Sequence, residues 1–195
     1  MIRVGSSKAL LWALLAIPAL LVLYRWASEP DLWLEDLLHP TGEWSARLMI
    51  VALMVTPLSM LFPGRRWVKW LLRHRRAFGV AAFLYAALHL LLYVLAMETV
   101  EAMLAELGAL GIWTGWLAFF CFVPMALTSN DAAMRALKGT WKRVQRLAYP
   151  AAILTLLHWL FIHDSFTAAL LHFAPLAALQ LYRLFRISTR RTATA

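Results

Sequence analysis

Arg75-Arg76-Ala77-Phe78-Gly79-Val80-Ala81-Ala82-Phe83-Leu84-Tyr85-Ala86-Ala87-Leu88-His89-Leu90-Leu91-Leu92-Tyr93-Val94-Leu95-Ala96-Met97 reads as two cations followed by an apolar run that one imidazole interrupts. As a helix rising about 1.5 Å per residue, the part from Ala77 to Met97 is long enough to cross a hydrocarbon core of about 30 Å. Lipid offers the backbone no hydrogen-bond partners, so such a stretch must be helical. An ionisable side chain at that depth is costly, which makes His89 a functional-site hypothesis by default.

Five further stretches have the same character: Lys8–Ala27, Trp44–Phe62, Leu107–Leu127, Leu147–Ile162 and Thr167–Phe185. The chain has 195 residues, of which 63% are hydrophobic and 15% charged, a membrane composition rather than that of a soluble core. The expected fold class is therefore an all-α membrane protein, a single domain over residues 1–195 built as an up-and-down bundle of six transmembrane helices. The first stretch starts with cations like a signal peptide. Its apolar run is longer than a signal-peptide core, so it reads as a retained span.

The net charge of +9 suggests nucleic acid until its distribution is followed. Arg3 and Lys8 precede the first stretch; Arg65 to Arg76 fill the second connection, Arg135 to Arg146 the fourth, and Arg183 to Arg191 close the chain. Carboxylates gather in the odd connections, from Glu29 to Glu43, from Glu98 to Glu106, and at Asp164. Arg25, Arg47 and Asp131 are the exceptions. Such alternation is the positive-inside pattern of a multi-pass protein with both termini cytoplasmic, its cations facing lipid headgroups rather than nucleic acid.

Nothing outside the apolar stretches is large enough for a catalytic domain, and the lone cysteine, Cys121, lies inside the fourth stretch as a packing residue. Pro57 and Pro124 are expected to bend their helices, and Pro150 to sit near the start of the fifth. Trp26, Trp44, Trp67, Trp70, Trp113, Trp116, Trp141 and Tyr149 read as interfacial anchors. The amphipathic run from Asp31 to Leu38 reads as interfacial packing.

From the cytoplasmic end, His89 lies roughly 18 Å into the third stretch and His158 roughly 16 Å into the fifth. Both stretches run the same way, so the two imidazoles stand at one level. That arrangement suits a planar macrocycle held between two helices, one nitrogen on each face of an iron. Two strong axial ligands leave no open position for oxygen, which favours electron transfer. His172, roughly 9 Å below the outer surface in the sixth stretch, competes as a ligand. His39 and His163 read as solvated, and His74 as part of the basic cytoplasmic cluster.

A wider set of residues spans the second to fifth stretches: Thr41-Gly42, Thr56-Pro57-Leu58, the Arg75-Arg76 to Tyr93 string, Leu127-Thr128-Ser129, Arg135, Trp141, Tyr149 and His158. Their combined spacing resembles the MsrQ (YedZ) family of haem-binding membrane subunits, within the ferric-reductase-like transmembrane superfamily. The resemblance implies a b-type cytochrome of the bacterial inner membrane. It implies electrons passing from the quinone pool or a cytosolic flavin reductase to a periplasmic molybdopterin enzyme that repairs methionine sulfoxide in proteins. It also implies FMN, for which no motif in the chain speaks independently.

One departure matters. The family places histidine where this chain has Gln145, thirteen residues before His158, and glutamine is a poor iron ligand. One haem is expected, and a second, cytoplasmic-side haem is in doubt. Arg75 and Arg76 occupy the corresponding depth on the third stretch. A guanidinium stays protonated, so they are candidates for haem propionates or lipid phosphates, not for ligation. His74 is a remote substitute ligand. Arg47, a cation on the outer side, either snorkels to the interface or clamps a propionate.

The reading is an electron-transfer subunit that leaves substrate conversion to its partner, with metal ligands His89 and His158. Its rivals are a quinol-oxidising cytochrome b for another reductase, and a non-redox transporter or assembly factor. The latter calls for charged residues along a polar path, and the mid-membrane positions here are almost bare of carboxylates.

Overall fold

The computed structural model describes residues 4–162 and 166–192. Within them the chain forms nine helices and no strand: α1 (Val4–Ser28), α2 (Glu35–Leu61), α3 (Arg66–Ala96), α4 (Val100–Glu106), α5 (Leu110–Leu127), α6 (Asp131–Leu137), α7 (Gly139–Gln145), α8 (Ala148–Ile162) and α9 (Phe166–Thr192). Among the described residues, α1, α2, α3, α5 and α9 are long and apolar enough to cross a membrane. The fifth apolar stretch becomes α8, which at 15 residues rises about 22 Å and falls short of a full crossing by length. His163 and Asp164 lie outside the described residues.

Two helices begin earlier than hydropathy alone suggests. α2 takes in the second half of the amphipathic run and starts at Glu35, because Leu37 buries against Val22 and Leu92 while Glu35 and Asp36 face the positive end of the helix. Trp33 remains exposed, as an interfacial residue would be. α3 starts at Arg66, a full three turns before the apolar run, and continues as helix through the cationic stretch, where Val68 and His74 are buried. Pro150 falls in the first turn of α8, where a missing N–H is tolerated.

α2 and α3 form the central pair, α8 packs along α5, and α9 closes against α2. The shared core includes Ala46, Met49 and Leu53 of α2, Ala82 and Tyr85 of α3, Phe122 of α5, Ala151 and Trp159 of α8, and Phe173 of α9. Tyr85 fastens α1 to this core, its hydroxyl donating to the Leu15 carbonyl and accepting from the Ala19 amide. The outward faces carry Leu20, Leu21, Leu84, Leu91, Phe120, Leu170, Leu171 and Leu181, each more than half exposed. An apolar perimeter of that extent belongs in lipid.

Candidate functional site

Near the acidic ends of the helices, α3 and α8 bring His89 and His158 together, ring edge toward ring face, in a cleft between α2, α3, α5 and α8. Their ring centroids are 6.1 Å apart and their planes cross at 84°. His89 Nδ1 is 2.9 Å from the Leu38 carbonyl oxygen, and His158 Nδ1 is 2.7 Å from that of Gly111. A carbonyl only accepts, so each Nδ1 carries the proton and each lone pair sits on Nε2. This is the tautomer that a metal-ligating imidazole adopts, oriented by the backbone behind it.

Two glycines let the rings sit where they do. A Cβ on Gly42 would stand 3.1 Å from His89 Nδ1, and one on Gly115 would stand 2.7 Å from His158 Nδ1. The cleft has a volume of about 670 Å³ counted to its open mouth. Ala86 and Ala118 give it width, while Trp116, Phe119 and Phe122 make its wall apolar. Two imidazoles on opposite sides of one metal, with metal–nitrogen bonds of about 2.0–2.1 Å, would put ring centres about 6 Å apart, close to the 6.1 Å found. Among the described residues no three His, Cys, Asp or Glu side chains converge. Two opposed imidazoles suit a metal whose remaining ligands come with it, as in a porphyrin.

A second cavity lies toward the basic ends of the helices. It measures about 2280 Å³ counted to its open mouth and shares Phe122 with the outer cleft. Phe83 and Phe119, stacked at 5.8 Å, stand on either side of that partition. Arg75, Arg76, Lys142, Arg146 and Arg183 line it, with no histidine among the lining residues. Arg75 is held by the Ala52 carbonyl and Thr56 Oγ1. Arg76 pairs with Asp131, which explains the one carboxylate on the basic side and holds its carboxyl below the ordinary carboxylate range. Gln145 donates its amide to the Met125 carbonyl and Thr128 Oγ1, which anchors α7 beneath α5. Gly79 opens onto this cavity, and nothing approaches within 4 Å of where its Cβ would be.

The remaining candidates gather elsewhere. His172 stacks on Trp159, and Arg47 donates to its Nε2 while pairing with Glu43. Arg47 does not line the outer cleft. Arg25, the other cation on the acidic side, pairs with Glu29 one turn on. His74 is buried, its Nδ1 on the Trp70 carbonyl, and does not line the inner cavity. Gly115 and the carbonyls of Leu38 and Gly111 were not expected. A glycine set among Trp, Leu and Phe in α5 is the one sequence signal that points to them.

A multi-helix apolar bundle that presents two opposed, carbonyl-oriented imidazoles at one level defines the class of membrane cytochrome-like proteins. The family described as "Ferric reductase like transmembrane component" matches residues 41–156. The heme-binding subunit MsrQ of protein-methionine-sulfoxide reductase from Xanthomonas campestris pv. campestris (strain 8004) is 34% identical over 170 residues, covering 79% of this chain and 71% of the relative. MsrQ of Rhizobium meliloti (strain 1021) is 33% identical over 160 residues, covering 80% and 72%. The chain belongs to the ferric-reductase-like transmembrane family and, within it, to the MsrQ family.

Proposed function

We propose that the chain is a b-type cytochrome holding one haem between His89 and His158, and that it passes electrons to a periplasmic molybdopterin-dependent protein-methionine-sulfoxide reductase. The observation that carries this reading is the 6.1 Å separation of the two rings, each with its Nδ1 on a backbone carbonyl. Bound haem supplies a one-electron iron couple. His89 and His158 are the residues that would hold it, one imidazole from α3 and one from α8. The carbonyls of Leu38 and Gly111 hold the ring protons away from it, and Gly42 and Gly115 admit the rings to the cleft. Phe119, Phe122 and Trp116 make the wall of that cleft apolar.

The bundle sits in a bacterial inner membrane with six crossings and both termini cytoplasmic, in line with the alternation of charge. α8 makes the fifth crossing, its short length met by local thinning of the bilayer. Electrons enter from quinol or a cytosolic flavin reductase. Quinol oxidation releases two electrons and two protons, and reducing methionine sulfoxide to methionine and water consumes the same number. A one-electron carrier between them would therefore turn over twice per sulfoxide. The inner cavity has Gln145 in place of an imidazole, so one haem per chain is expected. Where the resemblance extends to FMN, the cations of that cavity are its phosphate partners.

A visible spectrum of the purified protein tests the reading. The expected result is a Soret band with about one haem per chain, lost in both His89→Ala and His158→Ala. No Soret band after haem supplementation would remove the cytochrome altogether. A reporter fused at the C-terminus is expected to be active only in the cytoplasm.

A further inference from the structure

His158 has a neighbour that the haem reading does not use. Trp159 is only 5% exposed, and its ring is tilted onto His172 at 5.1 Å and meets Phe173 edge-on at 6.4 Å. His172 is locked at both nitrogens. Its Nδ1 lies 2.7 Å from the Ala168 carbonyl and therefore donates, and its Nε2 accepts from Arg47 Nε at 3.1 Å. The other end of that guanidinium pairs with Glu43, one turn back on α2. Arg47 also lies over the Trp44 ring at 5.3 Å, which limits its freedom further.

Glu43 follows Gly42, the residue whose Cα faces the His89 imidazole. A continuous set of contacts thus leads from His89 through Gly42, Glu43, Arg47, His172 and Trp159 to His158, joining α2, α9 and α8. α8 needs such a tie. It is the shortest of the six long apolar helices, and it packs far less on α2 and α9 than on α5.

We infer that Glu43, Arg47, His172 and Trp159 form a brace that sets the plane of the His158 imidazole against that of His89, with His172 as a positioning residue for the haem. This rests on the haem reading above. The lock on His172 explains why a third histidine close to the cleft is not a ligand: the nitrogen it would offer a metal already accepts from a guanidinium. The brace acts on ring orientation, and the 84° crossing is the quantity it holds. The anisotropy of a low-spin ferric haem depends on the angle between its two axial imidazole planes, and its potential depends on how firmly each ring is held and hydrogen-bonded.

The test compares His172→Leu, His172→Gln and Trp159→Leu with the wild type in the haem-loaded full-length protein, by electron paramagnetic resonance and potentiometry. His172→Leu and Trp159→Leu are expected to keep the Soret band and one haem per chain. Both should broaden or shift the low-spin g values and move the midpoint potential. His172→Gln, which still offers Arg47 an acceptor, is expected to return both values toward the wild type. In haem-free protein, deuterium uptake across α8 is expected to rise in His172→Leu. Wild-type g values and potential in both leucine variants, with no change in α8 exchange, would overturn the brace. So would loss of the bis-imidazole spectrum in His172→Leu together with its retention in His158→Ala, since His172 would then be the ligand. Should a leucine variant not fold, Arg47→Lys reads the same contact: an unshifted signal there counts against the proposal. Absence of haem from the wild type sinks the cytochrome reading instead, while the exchange measurement still reports on the brace.

Discussion

The outer cleft and the inner cavity share a wall of phenylalanines yet differ in what faces them. The outer one is the smaller and places two imidazoles at ligating distance over two glycines. The inner one is several times larger, is lined by five cations, and has a glutamine amide tied to α5 where a ligand would be needed. If the proposed haem lies between His89 and His158, volume is not what selects its site in this bundle. Opposed donors with a backbone acceptor behind each, and room to bring them together, are what distinguish the smaller cavity. The larger cavity has charge without donors, which suits an anionic group or none.

The largest effect that would break this contrast is expected at Gly115. A methyl there would press on His158 at 2.7 Å, and overpacking of this kind costs about 1–3 kcal/mol, or roughly 5- to 150-fold in haem retention. Gly115→Leu is expected to lose haem outright, and Gly42→Ala to weaken it less than Gly115→Ala because its contact is longer. Haem titration of the apoprotein checks the order, and wild-type retention in Gly115→Ala would show that the cleft is not the site. Next in size is Gln145→His, expected to raise the haem-to-protein ratio from about one toward two. A ratio already near two in the wild type would end the distinction between the cavities.

A smaller change is expected from Arg75→Gln. Its hydrogen bonds go to the Ala52 carbonyl and Thr56 on the inner side, so the Soret band and haem ratio should stay as in the wild type. Loss of haem would mean that the two cavities are one functional unit. The smallest effect is the acid limb of stability at the inner rim. Asp131 is held below its ordinary value first by its hydrogen bond to Arg76 and then by that charge. A carboxyl depressed on folding stabilises above its unfolded value, and that contribution disappears as pH falls through the depressed one. Asp131→Asn is expected to flatten this part of the melting-temperature profile against pH. The pair is exposed, so the change will be slight.

Much of this was legible in the chain. The runs around Trp44–Phe62 and Ala77–Met97 announce spans because lipid tolerates little else, and His89 and His158 stand out because ionisable groups are rare at that depth. Helix starts were less legible: hydropathy places them where apolar residues begin, whereas α2 and α3 continue as helix through charged turns. Gly79 and Gly115 look alike in sequence, each a small residue in an apolar helix. One opens onto a cavity and the other admits a ring. Spacing along one helix does not tell which neighbour arrives opposite it.

The amino-acid sequence alone determined the apolar helices, the charge asymmetry and the common level of the two imidazoles, since each follows from local hydropathy and a fixed rise per residue. Only the tertiary structure decided which rings meet. It turned His89 and His158 toward one cleft, gave each a carbonyl from a different helix, and locked His172 to Arg47 instead. The physical reason is that helix rotation and pairing are set by the packing of whole faces, glycine notches against rings and Tyr85 against α1, and no single segment carries that information.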